Sequence, residues 1–277
     1  MQLAMIDDKI LPIEQLELPY LDRGLYFGDG VYEVVRSYNG RLFALDEHLQ
    51  RFGNSLNAIE IKNIDIDQIR QRILKAFETA EISNARIYLH ITRGSMAREH
   101  IWEENLKPNF FLTITELPDD IELKANGVAV STHPDWRWKR CDIKSLNLLP
   151  NVLAKQDAVR KGCFEAILVD EARFITEGSS SAFFAIFDST LQTTALGETI
   201  LPSITRKYVI QAVEKIDLKL LEKSITPKQA QSADELFLAV TTKGIVPVVK
   251  FDDQIISDGK PGKFTKLLIR EFLKFTV

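Results

Sequence analysis

Several short stretches hold residue types that do chemistry. CDIKSLNLL (141–149) sets a single lysine, Lys144, in a run that otherwise reads as half-buried and apolar. Such a lysine lays its stem along apolar surface and reaches water, or pairs with an acid such as Asp142, or is a desolvated amine whose lowered pKa makes it a nucleophile toward carbonyls. Spacing leaves all three open. Thr176-Glu177-Gly178-Ser179-Ser180-Ser181 offers hydroxyls and backbone N–H groups to a phosphate or carboxylate, although the same composition makes ordinary turns. Ser203-Ile204-Thr205-Arg206 opens a predicted helix, where free N–H groups and the macrodipole favour an anion, and where a plain N-cap has the same residues. Thr241-Thr242 places a further hydroxyl pair at the end of a predicted strand. TRGSMAREH (92–100) carries Arg93, Arg98 and His100 in a loop suited to a carboxylate, or merely to solvent. His48 and Arg51 occupy adjacent turns of one predicted helix, and His90 and His133 have no partner that the sequence identifies.

These residues must be positioned by regular elements. VYEVVRSY and RLFAL flank Asn39-Gly40, the pattern of a β-hairpin. A helix follows, with Asp46 expected to cap its start and Leu45, Leu49, Phe52, Leu56 and Ile59 on one face. A second helix starts near Asp65 with Ile66, Ile69, Ile73 and Phe77 inward. RIYLHITR (86–93) alternates with period two, and FFLTIT (110–115) is β-branched and aromatic, so both read as strands. The polar stretch ELPDDIELKANG (116–127) is the expected join, dividing an N-terminal α/β domain (1–117) from a strand-rich C-terminal domain (123–277) with 118–122 as linker. Beyond it, VAVSTH, FEAILVD, RFITE, SAFFAIF, LQTTA, ELFLAVTT and IVPVVKF read as short strands. Helices are expected over 148–161 with Leu149, Val152, Leu153 and Val159 inward and Gly162 as stop, over 204–216, after the Thr226-Pro227 cap, and around Phe264, Leu267, Leu268 and Phe272. Strands without strict βαβ alternation make the fold class α+β in two domains rather than a doubly wound sheet.

The 277 residues are 45% hydrophobic and 27% charged, enough for a sizeable core. A net charge of −4 with no Lys/Arg stripe argues against nucleic acid or an anionic membrane as partner. No stretch approaches the roughly 20 apolar residues that cross a bilayer, and the N-terminal residues lack the pattern of a signal peptide, so a cytoplasmic place is expected. Cys141 and Cys163 are too few for a disulfide framework or a CxxC metal site and read as small apolar filler; no metal is expected.

DRGLYFGDGVYEVVRSYNG (22–40), TRGSMAREH (92–100), CDIKSLNLLPNVLAKQDA (141–158) and FITEGSSSAFFAI (174–186), in this order, resemble the fold-type IV pyridoxal-phosphate aminotransferases, closest to the D-amino-acid aminotransferases. The match runs nearly end to end. The resemblance implies pyridoxal 5′-phosphate as cofactor, with Lys144 forming the internal aldimine and shuttling protons at the substrate Cα. It gives Glu177 the pyridine nitrogen, and gives the phosphate to Arg51, Ile204, Thr205 and Thr241. Ser180 and Ser181 join the cofactor set. The substrate carboxylate falls to Tyr32 together with an arginine and histidine supplied by the partner subunit, which match Arg98 and His100, and Thr242 joins the substrate site. A homodimer follows, exchanging amino groups between a D-amino acid such as D-alanine and a 2-oxo acid such as 2-oxoglutarate.

The chain departs from the family pattern at Ala182, where asparagine is common, and at Pro150 and Ser203, where glycine is common. None of the three is Lys144 or Glu177. On the same framework, 4-amino-4-deoxychorismate lyase eliminates pyruvate and branched-chain aminotransferases act on L-amino acids. The lyases tend to follow the lysine with a pattern nearer HLNRL than the Ser145-Leu146-Asn147-Leu148-Leu149 seen here, which favours the transaminase. A non-catalytic relative would be free to lose Lys144, Glu177 and Arg51, and all three are present.

Overall fold

The alternating stretches of the first third assemble into one antiparallel sheet. The structure is a computed structural model describing residues 2–6, 8–12 and 21–276. It divides into two compact units, Met1–Pro118 with Ile143–Asn147, and Asp119–Asp142 with Leu148–Val277. The first unit contains β1 (Leu3–Ile6), β2 (Lys9–Pro12), α1 (Arg23–Phe27), β3 (Gly30–Tyr38), β4 (Arg41–Leu42), α2 (Leu45–Ala58), α3 (Ile66–Ala80), β5 (Ala85–Thr92) and β6 (Asn109–Glu116). Its sheet order is β2-β1-β6-β5-β3-β4.

Period two decides which side chains meet. Ile87, Leu89 and Ile91 of β5 are buried against Leu49, Phe52 and Leu56 of α2 and Ile69 and Ile73 of α3. The opposite face takes Tyr32, Tyr88, His90 and Phe111, because Tyr32 pairs with His90 and His90 with Phe111 across the ladder. The β3–β4 turn is built as expected, with Asn39 and Gly40 both at positive φ. Asp65 caps α3, accepting from the N–H groups of Asp67 and Gln68 at 2.9 and 3.1 Å. Asp46 does not cap α2. The N-cap is Ala44, and Asp46 lies one residue inside the helix, in an ion pair with Arg70; a cap must precede the first helical residue, although an acid in the first turn still suits the dipole.

The second unit contains α4 (Ile121–Asn126), β7 (Val128–Pro134), α5 (Leu149–Arg160), β8 (Glu165–Val169), β9 (Ile175–Gly178), β10 (Ala182–Phe187), β11 (Thr190–Thr193), α6 (Ile204–Val213), β12 (Lys219–Glu222), α7 (Pro227–Gln231), β13 (Glu235–Val240), β14 (Gly244–Phe251), β15 (Gln254–Ile255) and α8 (Lys263–Leu273). Eight strands run β12-β11-β10-β13-β14-β7-β8-β9, with β15 on β14. The sheet is mixed: β7 is parallel to both β14 and β8, while β10, β13 and β14 are antiparallel. Helix α4 forms within the polar 116–127 stretch, and the edge strand β12, all four of whose residues are exposed in part or whole, pairs parallel to β11.

The expected face of α5 is reversed. Leu149, Val152, Leu153 and Val159 are 48–67% exposed, and the helix instead buries Ala154 and Ala158 against Ala166 and Leu168 of β8. Small side chains let the helix axis approach the sheet, whereas the larger apolar residues lie on the other side. Pro150 is accommodated in the first turn, and Gly162, at φ +72°, follows the helix as its stop. Thr226 caps α7 in a reciprocal capping box with Gln229. No helix among the described residues is long and apolar enough to cross a membrane.

Candidate functional site

In the first unit, the segment bearing Lys144 is held against the start of β3 like a short added strand. Ser145 bridges Val31. The Tyr32 N–H donates to the Lys144 carbonyl and the Leu146 N–H to the Gly30 carbonyl, each at 3.0 Å, while the Lys144 N–H donates to Ser55 Oγ at 3.1 Å. Two glycines make room. A Cβ on Gly30 would lie 2.6 Å from the Ile91 carbonyl oxygen and 2.8 Å from Leu146 Cδ1. Gly28 is at φ +63° with a built Cβ 2.6 Å from Asn147 Oδ1. Lys144 is therefore anchored by its backbone on both edges, and its Nζ stands 4.2 Å from the centroid of the Tyr32 ring. Asp142 is occupied elsewhere, by Arg140 at 2.9 Å.

Tyr32 continues into an aromatic face. Its ring centroid is 5.8 Å from that of Tyr88, whose hydroxyl shares a 3.0 Å hydrogen bond with His90 Nδ1, and His90 stacks on Phe111 at 4.8 Å. Burial pushes the Tyr88 hydroxyl up to about 12 and the His90 imidazole down to about 4, so both are neutral near pH 7.

Arg51 points at Glu33 on the opposite side of β3. Its Nε and Nη2 donate to the two carboxylate oxygens at 2.7 and 2.8 Å, and His48 Nδ1 lies 2.8 Å from Oε2. Burial raises the Glu33 pKa, but the Arg51 charge and His48 outweigh it and hold the carboxyl well below the usual range. Burial also lowers His48, which the neighbouring carboxylate does not reverse. The pair fixes the guanidinium of Arg51 in one plane. Sequence reasoning misses Glu33, although a signal is present: on the inward period Val31-Glu33-Val35 a charge demands a buried partner.

Arg98 and His100 are exposed, and both lean on Phe27, with the Arg98 guanidinium 5.0 Å from its centroid and the His100 ring at 5.5 Å. Among the described residues no hydrogen bond, ion pair or ring contact joins either to Tyr32. Arg93 is structural: it pairs with Asp29, donates to the carbonyls of Ile59 and Glu60 and covers Trp102 at 3.9 Å. His133, in the second unit, bonds through Nδ1 to the Pro134 carbonyl at 2.8 Å.

The second unit holds the acid and anion-binding residues. Glu177, on β9, accepts through Oε1 from Arg137 Nη1 and from the Leu201 N–H at 3.1 Å. Arg137 is gripped by Asp135 at 2.9 and 2.7 Å, and Thr176 donates to Asp135 at 2.8 Å. Burial raises Asp135, but its bonds to Arg137 prevail and keep it ionised. Asp135 and Arg137 follow β7 in a loop that carries no sequence signal. The hydroxyls of Ser179, Ser180 and Ser181 donate to the fully buried Glu165 at 2.5, 2.7 and 3.2 Å; Ser179 and Ser181 are buried and Ser180 is exposed. Glu165 also escapes sequence reasoning, because it sits in a strand whose other residues are apolar.

At α6, Ser203 is the N-cap and accepts from the Arg206 N–H at 3.2 Å. The N–H groups of Ile204 and Thr205 and the Thr205 hydroxyl have no protein partner among the described residues. Thr241 likewise keeps its hydroxyl uncommitted, at the turn between β13 and β14. Unpaired N–H groups at the start of a ten-residue helix, with a threonine hydroxyl beside them, form the donor set of a phosphate.

The family described as amino-transferase class IV matches residues 30–251. The chain belongs to the class IV aminotransferases. It is similar to the D-alanine aminotransferase of Bacillus licheniformis, 39% identical over 264 residues that cover 95% of this chain and 93% of the relative. It is also similar to that of Staphylococcus haemolyticus, 36% identical over 98% of this chain and 97% of the relative. Among solved structures, the Escherichia coli branched-chain amino acid aminotransferase superposes with a TM-score of 0.92 at 21% identity, covering 98% of this chain and 93% of that one, which is a likeness of fold. A second branched-chain amino acid aminotransferase, solved with pyridoxamine 5′-phosphate, superposes at 0.91 with 24% identity over 98% and 93%.

This aminotransferase is a pyridoxal-phosphate enzyme, and its donor set fits that cofactor. An anchored lysine amine suits the aldehyde, a carboxylate oriented by Arg137 and the Leu201 N–H suits the ring nitrogen, and the free donors of α6 suit the phosphate. Ser203 does not disturb the last, since its φ of −63° is open to any residue.

Proposed function

We propose that the enzyme transfers the amino group of a D-amino acid such as D-alanine to a 2-oxo acid such as 2-oxoglutarate, as a cytoplasmic homodimer with two domains, 1–117 and 123–277 joined at 118–122, with Ile143–Asn147 packing as part of the first unit. The observation that carries the substrate is the near-full-length similarity to D-alanine aminotransferases of two organisms. When bound, pyridoxal phosphate supplies an aldehyde that condenses with amines and a ring that draws electrons from the substrate Cα. Lys144 would hold the cofactor through Nζ and would act as the base that takes the substrate Cα proton. Its backbone anchors keep the amine within reach for that transfer.

Glu177, held by Arg137, would pair with the ring nitrogen and favour its protonated form. Arg51, Ile204, Thr205 and Thr241 take the phosphate, and Ser180 and Ser181 complete the cofactor set with hydroxyls oriented by Glu165. Tyr32 of one subunit, with Arg98 and His100 of the other, takes the substrate carboxylate, and Thr242 lines the substrate side. The exposed apolar Leu149, Val152 and Leu153 on α5 support a subunit interface.

Purified protein should be yellow, and Lys144→Ala should be colourless. D-alanine with 2-oxoglutarate should yield pyruvate, and L-alanine should not. Pyruvate formed only from 4-amino-4-deoxychorismate, or turnover confined to L-amino acids, would refute the reading.

A further inference from the structure

The segment 97–102, which carries Arg98 and His100, has no regular structure, and the side chains of 97–102 are exposed. Among the described residues, every hydrogen bond to its backbone comes from one side chain. Arg23 Nη1 donates to the Glu99 carbonyl at 2.6 Å and to the Ile101 carbonyl at 3.3 Å, and Nη2 donates to the His100 carbonyl at 3.2 Å. Arg23 is itself 3% exposed. Its Nε is fixed by Asp29 at 2.8 Å, its N–H donates to the Gly94 carbonyl at 2.9 Å, and its guanidinium lies 4.9 Å from the Phe27 centroid. The Phe27 ring therefore touches Arg23, Arg98 and His100 alike.

We infer that Arg23 is a positioning residue for substrate binding: by gripping three consecutive carbonyls it sets the direction in which Arg98 and His100 are presented. This rests on the reading of Arg98 and His100 as carboxylate ligands. The physical reason is the planar fork. Five donors in one plane reach several carbonyls at once, which a lysine ammonium on a flexible stem does not. Without the clamp the loop samples many conformations, and the apparent affinity for substrate falls by the fraction of loop conformations that remain competent. Among the described residues no hydrogen bond or ion pair joins Arg23 directly to the Lys144 segment, whose nearest tie to it runs through Asp29 and the neighbouring Gly30, so the effect falls on KM more than on kcat.

The experiment is a double-mutant cycle on the holoenzyme with D-alanine and 2-oxoglutarate. Arg23→Ala should raise KM for both substrates by about tenfold with kcat and the cofactor absorbance retained. Arg23→Lys, which keeps a cation beside Asp29, should raise KM by less. In an Arg98→Ala/His100→Ala background, Arg23→Ala should change KM no further, because the residues it presents are gone. An unchanged KM in Arg23→Ala, or the same increase in both backgrounds, overturns the inference. If Arg23→Ala does not fold, Arg23→Lys carries the same cycle. Failure of the underlying reading looks different: Arg98→Ala/His100→Ala alone would leave KM at the wild-type value.

Discussion

Lowering the pH from 7.5 to 5 should cost this enzyme about 2 kcal/mol of stability through His90 alone. The imidazole is packed on Phe111 and bonded to the Tyr88 hydroxyl on the aromatic face of the first sheet. Burial moves its pKa from 6.5 to about 4, and the opposing pull of Asp22 is too weak to restore it. Between those two values the unfolded chain binds a proton that the folded protein excludes. Stability therefore falls as pH falls through that window, by about 1.4 kcal/mol per unit. From 6.5 to 5 that is about 1.5 units, which gives the 2 kcal/mol. His48, also lowered by burial, adds loss in the same direction, so the wild-type slope exceeds the His90 share. The perturbation is His90→Gln, which keeps a polar partner for Tyr88 and does not titrate. Denaturant midpoints at pH 7.5 and 5 should show the variant losing about 2 kcal/mol less than wild type between the two. Equal losses would mean that the folded protein admits the proton at His90, and the burial argument would be wrong.

Glu33→Gln leaves the Arg51 guanidinium buried beside a neutral amide, and should destabilise by about 3–5 kcal/mol in denaturant titration, with weaker cofactor retention on dialysis. Gly30→Ala puts a methyl group against the Ile91 carbonyl and Leu146; it should cost about 1–3 kcal/mol and reduce the fraction of enzyme showing the lysine-bound cofactor absorbance, because the Lys144 segment pairs with that residue.

The legible parts of the fold are those where local chemistry admits one answer. Asp65 precedes its helix and caps it, Asn39-Gly40 adopts the positive φ its hairpin demands, and β5 alternates because one face meets α2 and α3. The α5 face is not legible in this way, because apolar residues occur on two sides of that helix and only the position of β8 selects the alanines. Asp46 shows the same degeneracy: an acid near a helix start suits the cap or the first turn equally. In the site, Lys144 and Glu177 carry their signal in motif segments. Their supports do not, since Arg137 reaches Glu177 from another loop and Glu165 reaches the serines from another strand. Such pairings depend on topology; the local mark that Glu165 and Glu33 do carry, a charge on an inward strand position, says that a partner is needed but not which one.

The five residues Ile143–Asn147 lie far along the chain from the unit whose contacts they complete. A polypeptide emerging N-terminus first cannot close that unit when Pro118 is made, because Ile143 is part of its core and β3 is still without the segment that Ser145 brings to it. Folding of the first unit is thus long-range in sequence although its sheet is built largely of neighbours, and it should finish only after β7 has been synthesised. Recombination feels the same constraint. A chimera of two relatives spliced at residue 118 would seat one parent's lysine segment against the other parent's β3, so the productive unit of exchange takes residues 143–147 along with the N-terminal part.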